Sequence, residues 1–593
     1  MRVFLLIIFF LIGIFKISAQ DEAIAQQYFE KGDFEKAVVY YQKLYNKNPN
    51  NRTFVLAVVN CYQQLNQLEK SEAILLKKAL EKNANPTYVI EAGYNYQLKN
   101  EADKATLYYD KALEMLNENP NYVYVIGGTF RQKTILDYAM KAYKTAMELE
   151  PKFNFNYELA LIYGEQGDIE NMYQMYLDLM LERETLKGQI KRNLSGFISE
   201  DGSAENNVLF KKIVLKRSQT NPNVLWNELL SWLFIQQHDY KSAFTQEKAI
   251  YKRSEVTSLN TIIELGVIAY DNEDAETARQ IFQFVVEQTQ DQELLMYAKL
   301  QLITIDLHSE KNIDKIEKEY QALLNEYGIT PQTIEVQVAY AKFLAFVKND
   351  SATALSVLKE AIALPLNKFS EAQVRMATAD VLVFDEQFNQ ALIYYSQVQK
   401  ALKNDVLGQE ARFKVAQTSF YKGDFDWAET QLKVLKSSTS QLIANDALQL
   451  KLLISDNKLA DSTQTALKLY AKADLLAFQE NEAQAINLLD IILKDHKGEP
   501  IEDEALLLQA SLLEKNNSYE KAVTNYQKII EFFPEDILMD DALYNLAQLY
   551  IKKLSKPELA KKLLERIIFE HQDSIYFIDA RKEYRTLRGD AIN

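Results

Sequence analysis

The sequence predicts an all-α chain built from repeated helix-turn-helix units, and three observations carry that prediction. Helix and turn breakers are scarce: 16 Gly and 10 Pro in 593 residues, against averages of about 7% and 5%. Hydrophobic residues make up 48% and charged residues 25% of the chain, the balance of a folded protein rather than a disordered one. A short turn motif also recurs at a nearly fixed interval along much of the sequence. Together these disfavour an all-β architecture, a phosphate-loop α/β enzyme and a low-complexity polymer.

Residues 1–19 stand apart from the repeats. Met1 and Arg2 open a positive segment, Val3 to Phe15 is apolar apart from Gly13, and Lys16 to Gln20 supplies small residues around Ala19. This is the pattern of a secretory signal peptide cleaved after Ala19. Its apolar run of about thirteen residues is shorter than the roughly 20 needed to span a bilayer. Gln20 stands where a bacterial lipoprotein would carry Cys, so no lipid anchor and no direct membrane insertion are expected.

The next segment, 20–184, reads as five repeats. Gly32-Asp33-Phe34-Glu35-Lys36-Ala37 opens a series whose last residues fall at 37, 71, 105, 139 and 172, at intervals of 34, 34, 34 and 33. Nine residues before each stands an aromatic: Tyr28, Tyr62, Tyr96, Phe130 and Tyr163. Four residues after come Tyr41, Leu75, Tyr109, Tyr143 and Tyr176, and three further Leu44, Lys78, Ala112, Ala146 and Leu179. Ala25, Gly93, Gly127 and Ala160, three before the aromatic column, mark where two helices approach closely. One helix pair cannot bury its own apolar face, so stacking of successive pairs must do so.

Residues 185–366 are less regular. The repeat fades between Leu181 and Asn223, with a loop expected over Ser199-Glu200-Asp201-Gly202-Ser203 and a helix pair around it. It returns at His238 to Ala243 and Asn272 to Ala278, and 290–365 reads as further helix pairs. The segment 367–593 recovers a longer period, with turn motifs ending at Ala391 and Ala428, 37 apart, and at Ala485, Ala522 and Ala560, 37 and 38 apart. Two arrays flanking an irregular middle predict two lobes meeting near 185–260, with protease sensitivity around Ser199 to Asn207.

These residues resemble the tetratricopeptide repeat family: a period of 34, small and aromatic residues at set positions, and Pro49 and Pro151 closing the first and fourth units. The resemblance covers 21 to about 184, and 367–593 is similar to it in style, like periplasmic repeats of Bacteroidota envelope proteins. It implies an α-solenoid forming a right-handed superhelix, with protein partners held as a peptide or helix in a concave groove. The groove face of the first helices then carries Asn60, Gln63, Tyr94, Gln97, Tyr124, Arg131 and Tyr157. Of the family's carboxylate-clamp pattern of Lys, Asn and Arg, only Asn60 and Arg131 have counterparts, so an acidic chaperone tail is not an expected ligand.

Chemistry is not expected. The four His (His238, His308, His496 and His571) form no metal-ligand pair, and no nucleophile elbow or phosphate loop occurs. No catalytic residue, metal or cofactor is assigned. Cys61 is the single cysteine, so an intrachain disulfide is excluded, and its position inside a helix predicts a buried apolar role. A formal net charge of −16 disfavours nucleic acid, whose binding rests on neutralising phosphates. The functional expectation is a non-enzymatic periplasmic scaffold joining proteins of the cell envelope. A glycan- or nutrient-binding protein of an outer-membrane uptake system is the alternative.

Overall fold

A computed structural model describes residues 21–253, 258–309, 312–435, 440–458 and 463–589. The expected signal peptide, cleavage site included, lies outside these residues. Among the described residues every regular element is helical, and the chain is an all-α solenoid of consecutive helix pairs. No helix among them is long and apolar enough to cross a membrane.

The turn inside each pair explains the period. A residue with positive φ stands at Gly32, Asn66, Asn100, Thr134 and Gly167, at intervals of 34, 34, 34 and 33. Later arrays repeat it at His238 and Glu273, at Asn349, Glu386 and Gly423, and at Glu480, Asn517 and Ser555. The left-handed residue ends the first helix, and its successor's N–H returns to the carbonyl five residues back, as Asp33 N–H does to Tyr28 at 2.9 Å. Where that successor is Asp, its side chain caps the second helix: Asp33 accepts from Lys36 N–H at 3.3 Å and Asp168 from Asn171 N–H at 3.2 Å.

Two compact units divide the chain. Of the described residues, the first comprises those within 21–198 and 205–225, the second those within 199–204 and 226–589. In the first, 21–30 pairs with Phe34–Lys47, and four further pairs follow: Arg52–Gln64 with Leu68–Ala79, Pro86–Leu98 with Ala102–Glu118, Val123–Gln132 with Leu136–Leu149, and Asn156–Glu165 with Ile169–Glu182. Helices Lys187–Ser195 and Glu205–Thr220 follow, each packing on Ile169–Glu182.

Packing follows the aromatic columns. Tyr41, Leu75, Tyr109, Tyr143 and Tyr176 are all buried, and Tyr109 meets Phe130 of the next pair edge-on at 5.4 Å between ring centres. Small residues make room for them: a Cβ on Gly93 would come within 2.5 Å of the Tyr109 ring, and one on Gly127 within 2.5 Å of the Tyr143 ring. Lys78, the charged member of an otherwise apolar column, is buried with its ammonium bound to Asn50 Oδ1 at 2.8 Å and Glu81 Oε1 at 2.9 Å. Cys61 is fully buried, and burial pushes its thiol up to about 12.

The second unit continues with helix pairs from Trp226 onward and contains one departure from alternation. Helix Gln441–Asn457 packs on Phe425–Leu435 and Val406–Tyr421, while the next helix, Thr465–Phe478, also packs directly on Val406–Tyr421. The inserted helix accounts for the 57 residues between Ala428 and Ala485. Regular pairs resume and end in Phe577–Arg588.

Candidate functional site

The seven predicted groove residues lie on four successive first helices: Arg52–Gln64, Pro86–Leu98, Val123–Gln132 and Asn156–Glu165. Gln63, Gln97 and Arg131 recur at 34-residue intervals, so stacking places them in one row. Asn60 and Tyr94 form a second row one helical turn earlier.

The structure joins three of the seven through two residues that sequence reading did not single out. Glu91 and Lys133, with side chains only 6% and 10% exposed, form an ion pair at 2.9 Å. Lys133 Nζ also donates to Asn60 Oδ1 at 3.3 Å, a contact spanning 73 residues. Its ammonium lies 4.5 Å from the centre of the Tyr94 ring, within cation–π range. Gln63 Nε2 donates to Glu91 Oε2 at 3.5 Å, and Gln63 Oε1, buried, has no partner. The result is a buried charge pair ringed by two amides and an aromatic face, tying the second, third and fourth repeats together. A charge pair this desolvated needs its partners, because either ion alone is strongly disfavoured in such surroundings.

The remaining four stand in separate contacts. Gln97, exposed, accepts from Tyr109 Oη at 2.8 Å. Arg131 donates from Nε to Glu165 at 2.9 Å, and that bond pushes the guanidinium still higher than its ordinary value. Tyr157 Oη accepts from Gln189 Nε2 at 2.7 Å and Asn193 Nδ2 at 2.9 Å. Asn193 also donates to Tyr176 Oη at 3.1 Å. Tyr124 is different: it is 62% exposed, and its ring meets Phe155 and Phe153 edge-on at 5.4 and 6.0 Å. It offers an aromatic face supported from behind. The two residues matching the carboxylate clamp are both engaged within the chain, Asn60 by Lys133 and Arg131 by Glu165.

One signal for Glu91 was present in the sequence, a lone carboxylate within Tyr88-Val89-Ile90-Glu91-Ala92-Gly93. Its partner Lys133 lies 42 residues on, off the repeat interval, so no column aligns them.

The arrangement holds and orients; it has no nucleophile–base pair. Among the described residues no three His, Cys, Asp or Glu side chains converge as metal ligands. His238 sits at its turn with φ 55° and bonds Tyr240 Oη through Nδ1 at 2.8 Å.

The family models agree with helix pairs of this kind. Family models described as tetratricopeptide repeat match residues 28–89, 470–537 and 541–574. No curated protein sequence matches the chain. Among solved structures, the chain aligns with one described as Naa15/Naa10 bound to HypK-THB at 12% identity, covering 97% of each chain, with a TM-score of 0.26. The APC/C hetero-tetramer Cut9–Hcn1 aligns at 13% identity over 96% of each chain, with a TM-score of 0.23. A tetratricopeptide repeat protein from Parabacteroides merdae ATCC 43184 aligns at 12% identity, covering 52% of this chain and 98% of that one, with a TM-score of 0.25. From its helices and the family-model matches, the chain is an all-α solenoid that carries tetratricopeptide repeats near its beginning and in its last quarter.

Proposed function

We propose that the chain is a non-enzymatic scaffold of the cell envelope, exported to the periplasm, whose first unit holds a segment of a partner protein along its first-helix face. Two observations on the first helices carry the reading: an exposed, aromatic-backed Tyr124 at the start of Val123–Gln132, and the polar cluster of Asn60, Gln63, Glu91, Tyr94 and Lys133 at its far end. An aromatic anchor and fixed polar groups spaced along a row of helices suit recognition of an extended peptide or a helix. Repeats of this family generally mediate protein–protein contacts, and the leader-like residues 1–19 direct the reading to the envelope.

The test is a photocrosslinker placed at Tyr124 in native envelopes, with a second at exposed Asp110 on the second helix of the preceding repeat. A discrete protein adduct from Tyr124 alone is the expected result. Equal labelling from both positions, or none from Tyr124, would sink the reading. The exposed Tyr124 ring also keeps the glycan-binding alternative in view, since such a face stacks on sugars. Saturable calorimetric binding of a polysaccharide, lost in Tyr124→Ala, would promote that alternative over the scaffold.

A further inference from the structure

An open groove of about 420 Å³ lies in the second unit between Glu482–Asp495, Glu502–Lys515 and Tyr519–Phe532. Lys494, Lys521 and Lys528 line it together with Asp490. We propose that it receives an extended segment of a partner polypeptide whose acidic side chains stand three residues apart. That the occupant is a polypeptide rests on the scaffold reading above; the charge pattern asked of it rests on the groove itself.

The three lysines carry the argument. All are exposed. Among the described residues Lys521 and Lys528 form no ion pair, and Lys494 meets only its chain neighbour Asp495, at 3.9 Å. Acidic residues outnumber basic ones 83 to 67 in this chain, and lysines elsewhere in the unit do find carboxylates, as Lys299 finds Glu326 at 2.7 Å. Three ammonium groups left around one groove point to an anion from outside. Lys521 and Lys528 stand seven residues apart on one face of their helix, roughly 10 Å at about 1.5 Å per residue. Consecutive helices of the solenoid reverse direction, so Glu482–Asp495 and Tyr519–Phe532 run the same way. Lys494 therefore shares one end of the groove with Lys528, and Lys521 marks the other.

The middle asks for N–H donors instead. Gln509 and Asn525, each 5% exposed, line it. Asn525 Nδ2 donates to Gln509 Oε1 at 2.8 Å, and Gln509 Nε2 donates to Asp490 Oδ1 at 2.8 Å and to Ile486 O at 3.3 Å. Asp490 is exposed, and its other oxygen has no partner among the described residues. A carboxylate between two cationic ends repels a compact polyanion and accepts N–H groups.

A segment in the polyproline II conformation meets both demands. It has three residues per turn and rises about 3.1 Å per residue, so carboxylates at i and i+3 lie on one side, roughly 9 Å apart. Its backbone N–H groups make no internal bonds, which leaves them for Asp490. Ile486, Leu493 and Leu513 supply apolar wall for the residues between. The volume suits a few extended residues rather than a helix about 10–12 Å across. No aromatic side chain lines the groove, so it offers no stacking face to a sugar. The carboxylate clamp is a different site: its counterparts Asn60 and Arg131 lie on first helices, and these lysines lie on second helices.

The experiment is calorimetric titration of the full chain with acetyl-Glu-Leu-Pro-Glu-amide, whose proline favours the extended form. Two controls accompany it: the same peptide with Gln at both acidic positions, and acetyl-Glu-Glu-Leu-Pro-amide, which keeps the charge and changes the spacing. Saturable binding of the first peptide is expected, at least tenfold tighter than the Gln control, at least threefold tighter than the adjacent-Glu control, and weaker as salt rises. Lys521→Gln/Lys528→Gln should weaken it at least tenfold, and Lys494→Gln in the same direction. These lysines are exposed, and an unchanged melting temperature verifies that the variants fold. Absence of saturation, equal affinity for either control, or indifference to the lysine variants would overturn the proposal. Inorganic tripolyphosphate binding more tightly than the peptide would mark a phosphate site and overturn the partner assignment. Peptide binding without any adduct from Tyr124 would remove the scaffold reading and leave the preference for spaced carboxylates standing. A Tyr124 adduct without peptide binding would overturn this inference alone.

Discussion

At the scale of single residues, this solenoid keeps charges inside and satisfies some of them across repeats. Glu91 and Lys133 illustrate the energetics, since removing one partner strands the other in a desolvated site. Lys133→Met is expected to lower unfolding stability by about 3–5 kcal/mol, whereas Glu91→Gln/Lys133→Met should recover most of the loss. Urea titration of the three variants checks this; a double mutant no better than the single would show the pair is not the cause. Asp503 and Glu504 are the opposite case, neighbouring carboxyls with no counter-ion among the described residues. Burial first, and their mutual interaction second, raises Glu504 well above the carboxylate range, and burial raises Asp503. Asp503 Oδ1, Glu504 Oε2 and Asn457 Oδ1 are all buried without a partner. The native state therefore keeps protons that the unfolded chain releases from about pH 4.5 upward. The pair's contribution is fully present below that pH and is lost as pH rises through the raised folded values. Glu504→Gln, which is neutral at every pH, should be more stable than wild type by on the order of 1–2 kcal/mol at pH 8 and equal to it near pH 4. Denaturation midpoints that keep the same difference at both pH values would contradict the assignment.

At the scale of the helix pair, the close approach of first and second helices sets what each glycine is for. Gly127 and Gly128 are adjacent in Val123–Gln132, yet a Cβ at 127 would strike Tyr143 while one at 128 would meet nothing within 4 Å. Gly128→Ala should therefore stabilise by about 0.5–1 kcal/mol through helix propensity, and Gly127→Ala should destabilise by about 1–3 kcal/mol through overpacking. Thermal unfolding of the two variants reads the sign directly. This contrast also marks how far the sequence is legible. Gly127 was readable as an interface glycine because it shares a column with Ala25, Gly93 and Ala160. The turns were readable because Gly32, Asn66, Asn100 and Gly167 are residues that tolerate a left-handed backbone. Helix Gln441–Asn457 was not, because it enters without the turn motif and breaks the alternation between Ala428 and Ala485. For the candidate site, the sequence showed which helices carry the residues and not which contacts they make. Repeat columns put Asn60, Tyr94 and Arg131 at set positions of successive first helices, but a column compares equivalent positions. The decisive contacts join non-equivalent ones, Lys133 to Glu91 and to Asn60.

At the scale of the whole chain, the segment 199–204 packs out of sequence order. It lies between helices of the first unit in the chain yet belongs to the second. Within that second unit Glu200 accepts from Lys582 on the last helix, 382 residues away, and stands 3.5 Å from His238 Nε2. Both side chains of the Lys582 pair are about half exposed, at 49% and 51%. Such a pair contributes roughly 0–1 kcal/mol and weakens with salt. It is therefore a poor source of stability but can hold a loop against a protease, because proteolysis samples local opening rather than global unfolding. The expectation of sensitive sites around Ser199 to Asn207 then becomes conditional on this contact. Lys582→Ala should leave the denaturation midpoint within about 1 kcal/mol of wild type and accelerate cleavage by a glutamate-specific protease after Glu200 several-fold. Wild type in 0.5 M salt should behave like the variant. A variant cut at the wild-type rate, or cut first inside 21–184, would mean that the loop is held by its own turn, in which Ser203 N–H donates to Asp201 Oδ1 at 2.8 Å, and that the distant lysine adds nothing.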